Sequence, residues 1–316
     1  MTRETGTGKY EQLLARCRAF PPVPTAVAHP CEASALAGAL DAGAKGLITP
    51  ILVGRTVSIE ETARKANIDL GHTRIVDAPH SHAAAAKAVE LVRQGQAELL
   101  MKGSLHTDEL LGAVVARDTG LRTARRISHV FLMDVPTYHK VLLVTDAAIS
   151  IAPTLEDKVD ICQNAIDLAI TLGVTTPKIA ILAAVETVTS KMPATIDAAA
   201  LCKMAERGQI TGALLDGPLA FDNAISKDAA RTKGLTSEVA GDPDILLAPD
   251  LEAGNILAKQ LTFLANADSA GLVLGARVPI ILTSRADSVR ARIASCGVAM
   301  LVAHARRQAS PVAMTG

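Results

Sequence analysis

Short apolar runs alternate with stretches of helical spacing along most of the chain. The apolar runs predict strands at 47–54, 73–78, 97–103, 127–135, 140–147, 178–185, 210–216, 244–248, 270–275 and 278–283. The helical spacing predicts helices at 32–44, 58–68, 81–95, 107–117, 156–173, 195–207, 222–232, 252–265 and 286–307. Repeated strand–helix units predict a three-layer α/β/α fold with mainly parallel sheets.

One connection in this series is too short for a parallel crossover. Only four residues, PTYH at 136–139, separate the strands at 127–135 and 140–147. These two strands are therefore expected to pair as an antiparallel hairpin.

We predict two α/β lobes, since a single sheet would need about a dozen strands, more than most sheets contain. The first lobe would contain residues 1–148 and 270–316 and the second 149–269, with an active site in the cleft between them.

Composition narrows the class of protein. The 316 residues are 49% hydrophobic but only 2% aromatic, and the formal net charge is zero, so no overall charge favours nucleic acid or an anionic membrane. The longest apolar runs are far shorter than a membrane span, and the amino terminus lacks the apolar core of a signal peptide. Five scattered cysteines fit reduced thiols and predict neither disulfides nor a metal site. We expect a cytoplasmic protein without nucleic-acid or membrane partners.

The segment 279–290, PIILTSRADSVR, places polar residues directly after an apolar strand. Thr283 or Ser284 is predicted to cap the following helix, with Arg285 and Asp287 in its first turn. A helix amino terminus attracts anions, and Arg285 opposes the helix dipole unless a negative group lies beside it. The segment is compatible with a phosphate site, and also with an ordinary serine cap in which Arg285 pairs with Asp287 or is solvated.

Three further segments place anion-compatible residues at predicted strand ends or before a strand. MKGSLHT carries Lys102, Gly103, Ser104, His106 and Thr107, and could also be a plain strand-to-helix turn. GLRTARR carries Arg122 and Arg125, which could instead be solvated surface charges. PDLEAGN carries Asn255, and Asp250 and Glu252 in the same segment could simply cap a helix. Together these segments make a phosphorylated ligand the leading prediction.

The same segments, with DGPLAFDNAIS and LTSRADS, resemble the phosphate acetyl/butyryl transferases over nearly the whole chain. The resemblance implies a two-lobed fold like that of the isocitrate/isopropylmalate dehydrogenases, and a homodimer. It implies reversible transfer of an acyl group between coenzyme A and phosphate, with coenzyme A as a substrate and no tightly bound cofactor. It also implies that Ser284 stabilises the transition state and that Arg285 binds the phosphate or coenzyme A.

One departure from the family pattern affects the expected base. Acetyl-type members carry an Asp seven residues after the serine, where this chain has Ala291; the run Ser284-Arg285-Ala286-Asp287 resembles the butyryl branch. Our hypothesis is that Asp287, one helical turn before Ala291, supplies the carboxylate. Two alternatives stay open. One is a coenzyme A-binding or regulatory protein that has lost catalysis, and the other is a metal- and NAD(P)-dependent decarboxylating dehydrogenase of the same superfold.

Overall fold

The computed structural model describes residues 8–284 and 287–309. Its helices are α1 Lys9–Cys17, α2 Ala33–Ala44, α3 Thr56–Lys65, α4 Ser81–Arg93, α5 Thr107–Val115, α6 Leu155–Thr171, α7 Pro193–Glu206, α8 Phe221–Ile225, α9 Lys227–Thr232, α10 Leu251–Phe263 and α11 Val289–Ala309. Its strands are β1 Val23–Ala28, β2 Ile48–Gly54, β3 Arg74–Asp77, β4 Leu99–Lys102, β5 Ser128–Asp134, β6 Leu142–Thr145, β7 Lys178–Leu182, β8 Leu214–Leu219, β9 Ile245–Leu247, β10 Asp268–Leu274 and β11 Ile280–Ile281.

The chain forms two compact units, the first made of residues 1–125 and 270–316 and the second of residues 126–269. In the first unit the strand order is β3-β2-β1-β4-β11-β10, and every pair is parallel except β11 with β10. Helix α4 packs on β1 and β2 and against α5, whereas α11 packs on β11 and contacts α1 and α2. Fully buried Val27, Leu52 and Leu100 form part of the core of this sheet.

The second unit has the strand order β5-β6-β9-β7-β8, in which only β5 and β6 pair antiparallel. Helices α6 and α10 pack on β5 and β6, and α7 packs on β7 and β8. The predicted α/β class with mainly parallel strands is confirmed, and so is the antiparallel hairpin. The hairpin belongs to the second unit, whereas the sequence-based division placed it before residue 148, because β6 pairs with β9.

Two elements of the structure were not predicted, and two predicted helices differ from the structure. Strand β1 and helix α1 were not predicted, although β1 lies between β2 and β4. The helix expected at 222–232 is two helices, since Ser226 is extended and caps α9 by accepting from the Ala229 N–H. The last helix begins at Val289 rather than near 286. Among the described residues, no helix is both long enough and apolar enough to cross a membrane.

Candidate active site

The sheet of the first unit brings two of the predicted polar segments together. In the parallel pair of β4 and β11, Leu100 lies opposite Ile280 and Met101 opposite Ile281. Carried one residue further, this register places Lys102 beside Leu282. The segments that follow, with Gly103 after β4 and Ser284 after β11, therefore leave the same edge of the sheet. Polar residues at the carboxyl ends of adjacent parallel strands are a usual origin of ligand sites.

The turn after β4 is held tightly against the end of β1. The Gly103 N–H donates to the Ala28 carbonyl at 2.9 Å, and a Cβ on Gly103 would lie 2.3 Å from that same oxygen. The Ser104 hydroxyl donates to the His29 carbonyl at 2.7 Å and accepts from the Cys31 N–H at 2.9 Å. His29 itself has a left-handed φ of 54°. Ser104 thus joins the two strand ends, while its substrate-binding role remains a prediction.

Ser284 lies in a turn rather than at the start of a helix. The Asp287 N–H donates to the Ser284 carbonyl at 3.1 Å, and Asp287 Oδ2 accepts from the Ser284 N–H at 2.6 Å. The cap of α11 is instead Ser288, whose Oγ accepts from the Ala291 N–H at 3.1 Å. The expectations that Thr283 or Ser284 caps the helix, and that Asp287 lies within it, are therefore wrong. The exposed Ser284 side chain extends from a backbone fixed on both sides.

A carboxylate and a cation are close together behind this turn. Burial raises the pKa of Asp287 above its usual range, and the Ser284 N–H and the positive charges of Arg292 and Lys102 oppose that shift. Lys102 is 93% buried, since only 7% of its surface is exposed, and its Nζ donates to the Gly103 carbonyl at 3.5 Å. The arrangement supplies a proton acceptor of raised basicity next to a buried positive charge.

Helix α5 starts beside the same strand end, with a carboxylate holding its first turn. His106 is the cap residue, and its N–H donates to Glu109 Oε2 at 2.8 Å. The Ser81 hydroxyl donates to Glu109 Oε1 at 2.7 Å, which ties α5 to the start of α4. These hydrogen bonds lower the pKa of Glu109. His106 is exposed and Thr107 half-buried at this helix start, so both are placed near the end of β4.

The arginine segment is anchored elsewhere in the first unit. The Leu121 carbonyl accepts from the Arg277 N–H at 2.9 Å, and the Thr123 hydroxyl donates to the Gly275 carbonyl at 2.5 Å. Because β10 runs antiparallel to β11, residues 275–277 lie at the amino end of β11, opposite the edge that carries Ser284. The backbone around Arg122 and Arg125 is therefore fixed at the other edge of the sheet, and a substrate role for these exposed side chains remains a prediction.

Asn255 belongs to the second unit. Its Nδ2 donates to the Ala147 carbonyl at 3.0 Å, and Asp250 caps α10 by accepting from the Ala253 N–H at 2.9 Å. The buried carboxylate of Asp146 accepts from three consecutive N–H groups, those of residues 148–150, at 2.9 to 3.1 Å. Asn255 thus helps to hold the loop after β6, and its role toward a substrate remains a prediction.

Arg285 and Arg292 both follow Ser284 in the sequence. Arg285, predicted to bind phosphate or coenzyme A, lies outside the described residues. Arg292 was not predicted as part of the site, yet its Nη2 donates to the Ser284 carbonyl at 3.2 Å. A charged residue within an apolar helix was the available signal, because such a residue is almost never fully buried without a partner.

Fold and site together place the protein among α/β proteins with a buried lysine, a carboxylate and a hydroxyl at neighbouring strand ends. Comparison with known proteins identifies the family within this class to which the chain belongs. The family model described as "Phosphate acetyl/butaryl transferase" matches residues 80–300. The chain belongs to this family of acyltransferases, which confirms the expected resemblance.

Individual relatives agree with the family model. A phosphate acetyltransferase of Rhizobium meliloti is 65% identical over 96% of each chain. A phosphate butyryltransferase of Clostridium beijerinckii is 41% identical over 93% of this chain and 97% of the relative. The crystal structure of a branched-chain phosphotransacylase from Enterococcus faecalis V583 covers 89% of this chain and 99% of its own, with 31% identity and a TM-score of 0.78.

Proposed function

We propose that the protein is a phosphate acyltransferase that transfers a short acyl group reversibly between coenzyme A and inorganic phosphate. The observation that carries this proposal is the 65% identity to a phosphate acetyltransferase over nearly the full length of both chains. The cluster of Lys102, Ser284 and Asp287 supports it, because the reaction needs a base, an oxyanion donor and a cation for phosphate. Both substrates are small molecules, and coenzyme A is a substrate rather than a resident cofactor.

In the direction that forms the thioester, Asp287 accepts the proton of the coenzyme A thiol. The resulting thiolate forms a bond to the acyl carbon of the acyl phosphate, and the carbonyl oxygen becomes an oxyanion that the exposed Ser284 hydroxyl stabilises. Collapse of this oxyanion breaks the bond to the phosphate oxygen, and phosphate leaves with its electron pair. The positive charges of Lys102 and Arg285 bind that phosphate. Direct attack needs no acyl-enzyme, since holding both substrates side by side supplies the proximity.

Asp287 suits the role of base because its pKa is raised by burial. An ordinary aspartate, with a pKa of about 3.9, is a weak acceptor for a thiol proton at neutral pH. Burial brings the pKa of this carboxyl group nearer to the pKa of the thiol, which increases the efficiency of proton transfer. Asp287→Ala is therefore expected to lower turnover strongly, and unchanged turnover would show that another group is the base.

The acyl group is proposed to be acetyl. The 65% identical relative carries that name, whereas the butyryl relative is 41% identical. The Ser284-to-Asp287 run, which resembles the butyryl branch, points the other way. One methylene group changes binding by only about 0.8 kcal/mol, so both substrates must be compared directly. We further propose the homodimer, and a fold like that of the isocitrate/isopropylmalate dehydrogenases, on the basis of the two mainly parallel α/β units and the family relationship.

Thioester formation from coenzyme A with acetyl phosphate, and separately with butyryl phosphate, tests the proposed function. The thioester is followed by its ultraviolet absorbance, and the ratio of the two kcat/KM values identifies the acyl group.

A second candidate, a coenzyme A-binding protein without catalysis, is favoured by one observation. Ala291 is buried at the position where acetyl-type members carry their Asp. Coenzyme A binding without turnover of either acyl phosphate would establish that candidate instead.

A further inference from the structure

Arg292 is a buried cation on the first turns of α11. Only 5% of its surface is exposed, and its guanidinium Nη2 donates to the Ser284 carbonyl at 3.2 Å. Its stem runs along α2, where Gly38 leaves room for it. A Cβ on Gly38 would lie 2.9 Å from Arg292 Cδ, closer than real Cβ atoms approach a neighbour. Arg292 therefore packs against Gly38 where α2 and α11 meet.

Both backbone polar groups of Ser284 form hydrogen bonds with residues that come later in the chain. Its N–H donates to Asp287 Oδ2 at 2.6 Å, and its carbonyl accepts from both the Asp287 N–H and Arg292 Nη2. The turn itself supplies two of these three hydrogen bonds. The third comes from α11 and ties the turn to a helix with a mostly buried surface.

We propose that Arg292 is a positioning residue, which fixes the Ser284 peptide to α11 and places a permanent positive charge behind Asp287. This inference rests on the proposed function, since it assigns Arg292 a role in orienting the hydroxyl and the carboxylate of that reaction. Arg292 does not itself contact a substrate. A guanidinium suits the role because it stays charged at all physiological pH values and can donate to several acceptors at once.

Two described positive charges act on Asp287 from two different elements. Arg292 approaches from α11 and Lys102 from the end of β4, while the Ser284 N–H adds a hydrogen bond. Both charges favour the ionised carboxylate and oppose the effect of burial. Loss of either charge is therefore expected to raise the pKa of Asp287 further.

The first test replaces the charge while retaining much of the volume of the side chain. Arg292→Met is expected to lower kcat by about ten- to a hundredfold, the effect of losing a hydrogen bond from a charged group. The acidic limb of its kcat/KM profile is expected to move to higher pH, because Asp287 then ionises later. Arg292→Lys restores the charge but not the planar fork, so its acidic limb should return toward that of the wild type while kcat recovers only in part. A merely structural role would lower kcat and leave the acidic limb in place, and that result would overturn the proposal.

The second test leaves Arg292 unchanged and displaces its stem, so that it also decides the case in which Arg292→Met does not fold. Gly38→Ala lies within α2, where alanine is the better helix former by about 1 kcal/mol. This gain offsets part of the cost of moving Arg292, so the melting temperature should stay close to that of the wild type. Its new Cβ forces Arg292 to move, and kcat is expected to fall about tenfold or more. The control is Gly112→Ala on α5, which gains the same helix propensity in open space and should retain wild-type kcat. Wild-type kcat in Gly38→Ala would overturn the proposal.

The wild-type enzyme separates the two levels of inference. Absence of thioester formation by the wild type with both acyl phosphates contradicts the proposed function itself. Turnover by the wild type together with unchanged kcat and an unchanged acidic limb in Arg292→Met contradicts only the role of Arg292.

Discussion

Ser104 tests whether a hydroxyl at a strand end binds substrate or supports the backbone. Its residue type and position in MKGSLHT predict a phosphate ligand, but the structure shows the hydroxyl donating to the His29 carbonyl and accepting from the Cys31 N–H. Ser104→Ala removes both hydrogen bonds at once. Neither partner is left without a hydrogen bond, because the His29 carbonyl also accepts from the Ser104 and Cys31 N–H groups, both at 2.9 Å. Each lost hydrogen bond contributes about 0.5–1.5 kcal/mol, so we expect a total loss of about 1–3 kcal/mol in the free energy of unfolding.

The measurement is urea denaturation followed by circular dichroism, because the chain contains no Trp to report by fluorescence. Ser104→Ala should unfold at clearly lower urea concentration than the wild type, while the KM for phosphate changes little. The exposed Ser190 provides the control, since Ser190→Ala should unfold at the wild-type midpoint. An unchanged midpoint with a KM for phosphate raised about tenfold, equivalent to about 1.4 kcal/mol, would refute the structural role and show direct binding.

Three more predictions concern the same edge of the sheet. Burial raises the pKa of Asp287 in the folded state. At pH values between the ordinary and the raised pKa, the folded state therefore binds more protons than the unfolded state. Stability consequently falls as the pH rises through this range. Asp287→Asn should therefore raise the melting temperature at neutral pH, and this gain should vanish at pH values below the ordinary pKa of aspartate. A gain that persists at such low pH would contradict the prediction. The pKa of Glu109 is lowered, so its contribution is present above the ordinary glutamate value and lost as pH falls through the lowered one. Glu109→Gln should lower the free energy of unfolding by about 1 kcal/mol at pH 7, as expected for a damaged helix cap, which thermal unfolding measures. An equal loss at low pH would show that the negative charge of Glu109 does not cause the stabilisation. Gly103→Ala should lower stability by about 1–3 kcal/mol and reduce kcat, because the new Cβ meets the Ala28 carbonyl; wild-type values of both would show that the strand ends separate easily.

The sequence predicted most of the elements but missed the strand at the centre of the first unit. Strand β1, VPTAVA, contains a proline and three small or polar residues, so its own strand propensity is weak. It forms because β2 and β4 pair with it on both sides, which is information from distant parts of the chain. Helix α1 was missed for a related reason, since it is short and, among its nine residues, only Cys17 is buried.

The residue types of the site could be predicted, but their neighbours could not. That Lys102 and Ser284 leave the same sheet edge follows from the pairing of β4 with β11, which no local pattern encodes. The helix predicted from residue 286 begins later because the Asp287 side chain bonds the Ser284 N–H, and such local hydrogen bonds compete with helix formation. The position of Arg292 depends in part on Gly38, some 250 residues away in sequence.

The loop after β6 has a consequence for where anions can bind. Three successive backbone N–H groups that point at one centre would make a receptor for phosphate, but here the chain's own Asp146 carboxylate fills it. The second unit therefore carries an internal anion at this strand end, one that repels an incoming phosphate instead of attracting it. Phosphate is therefore expected to be excluded from this strand end, and Asp146→Ala would be expected to create a phosphate site there.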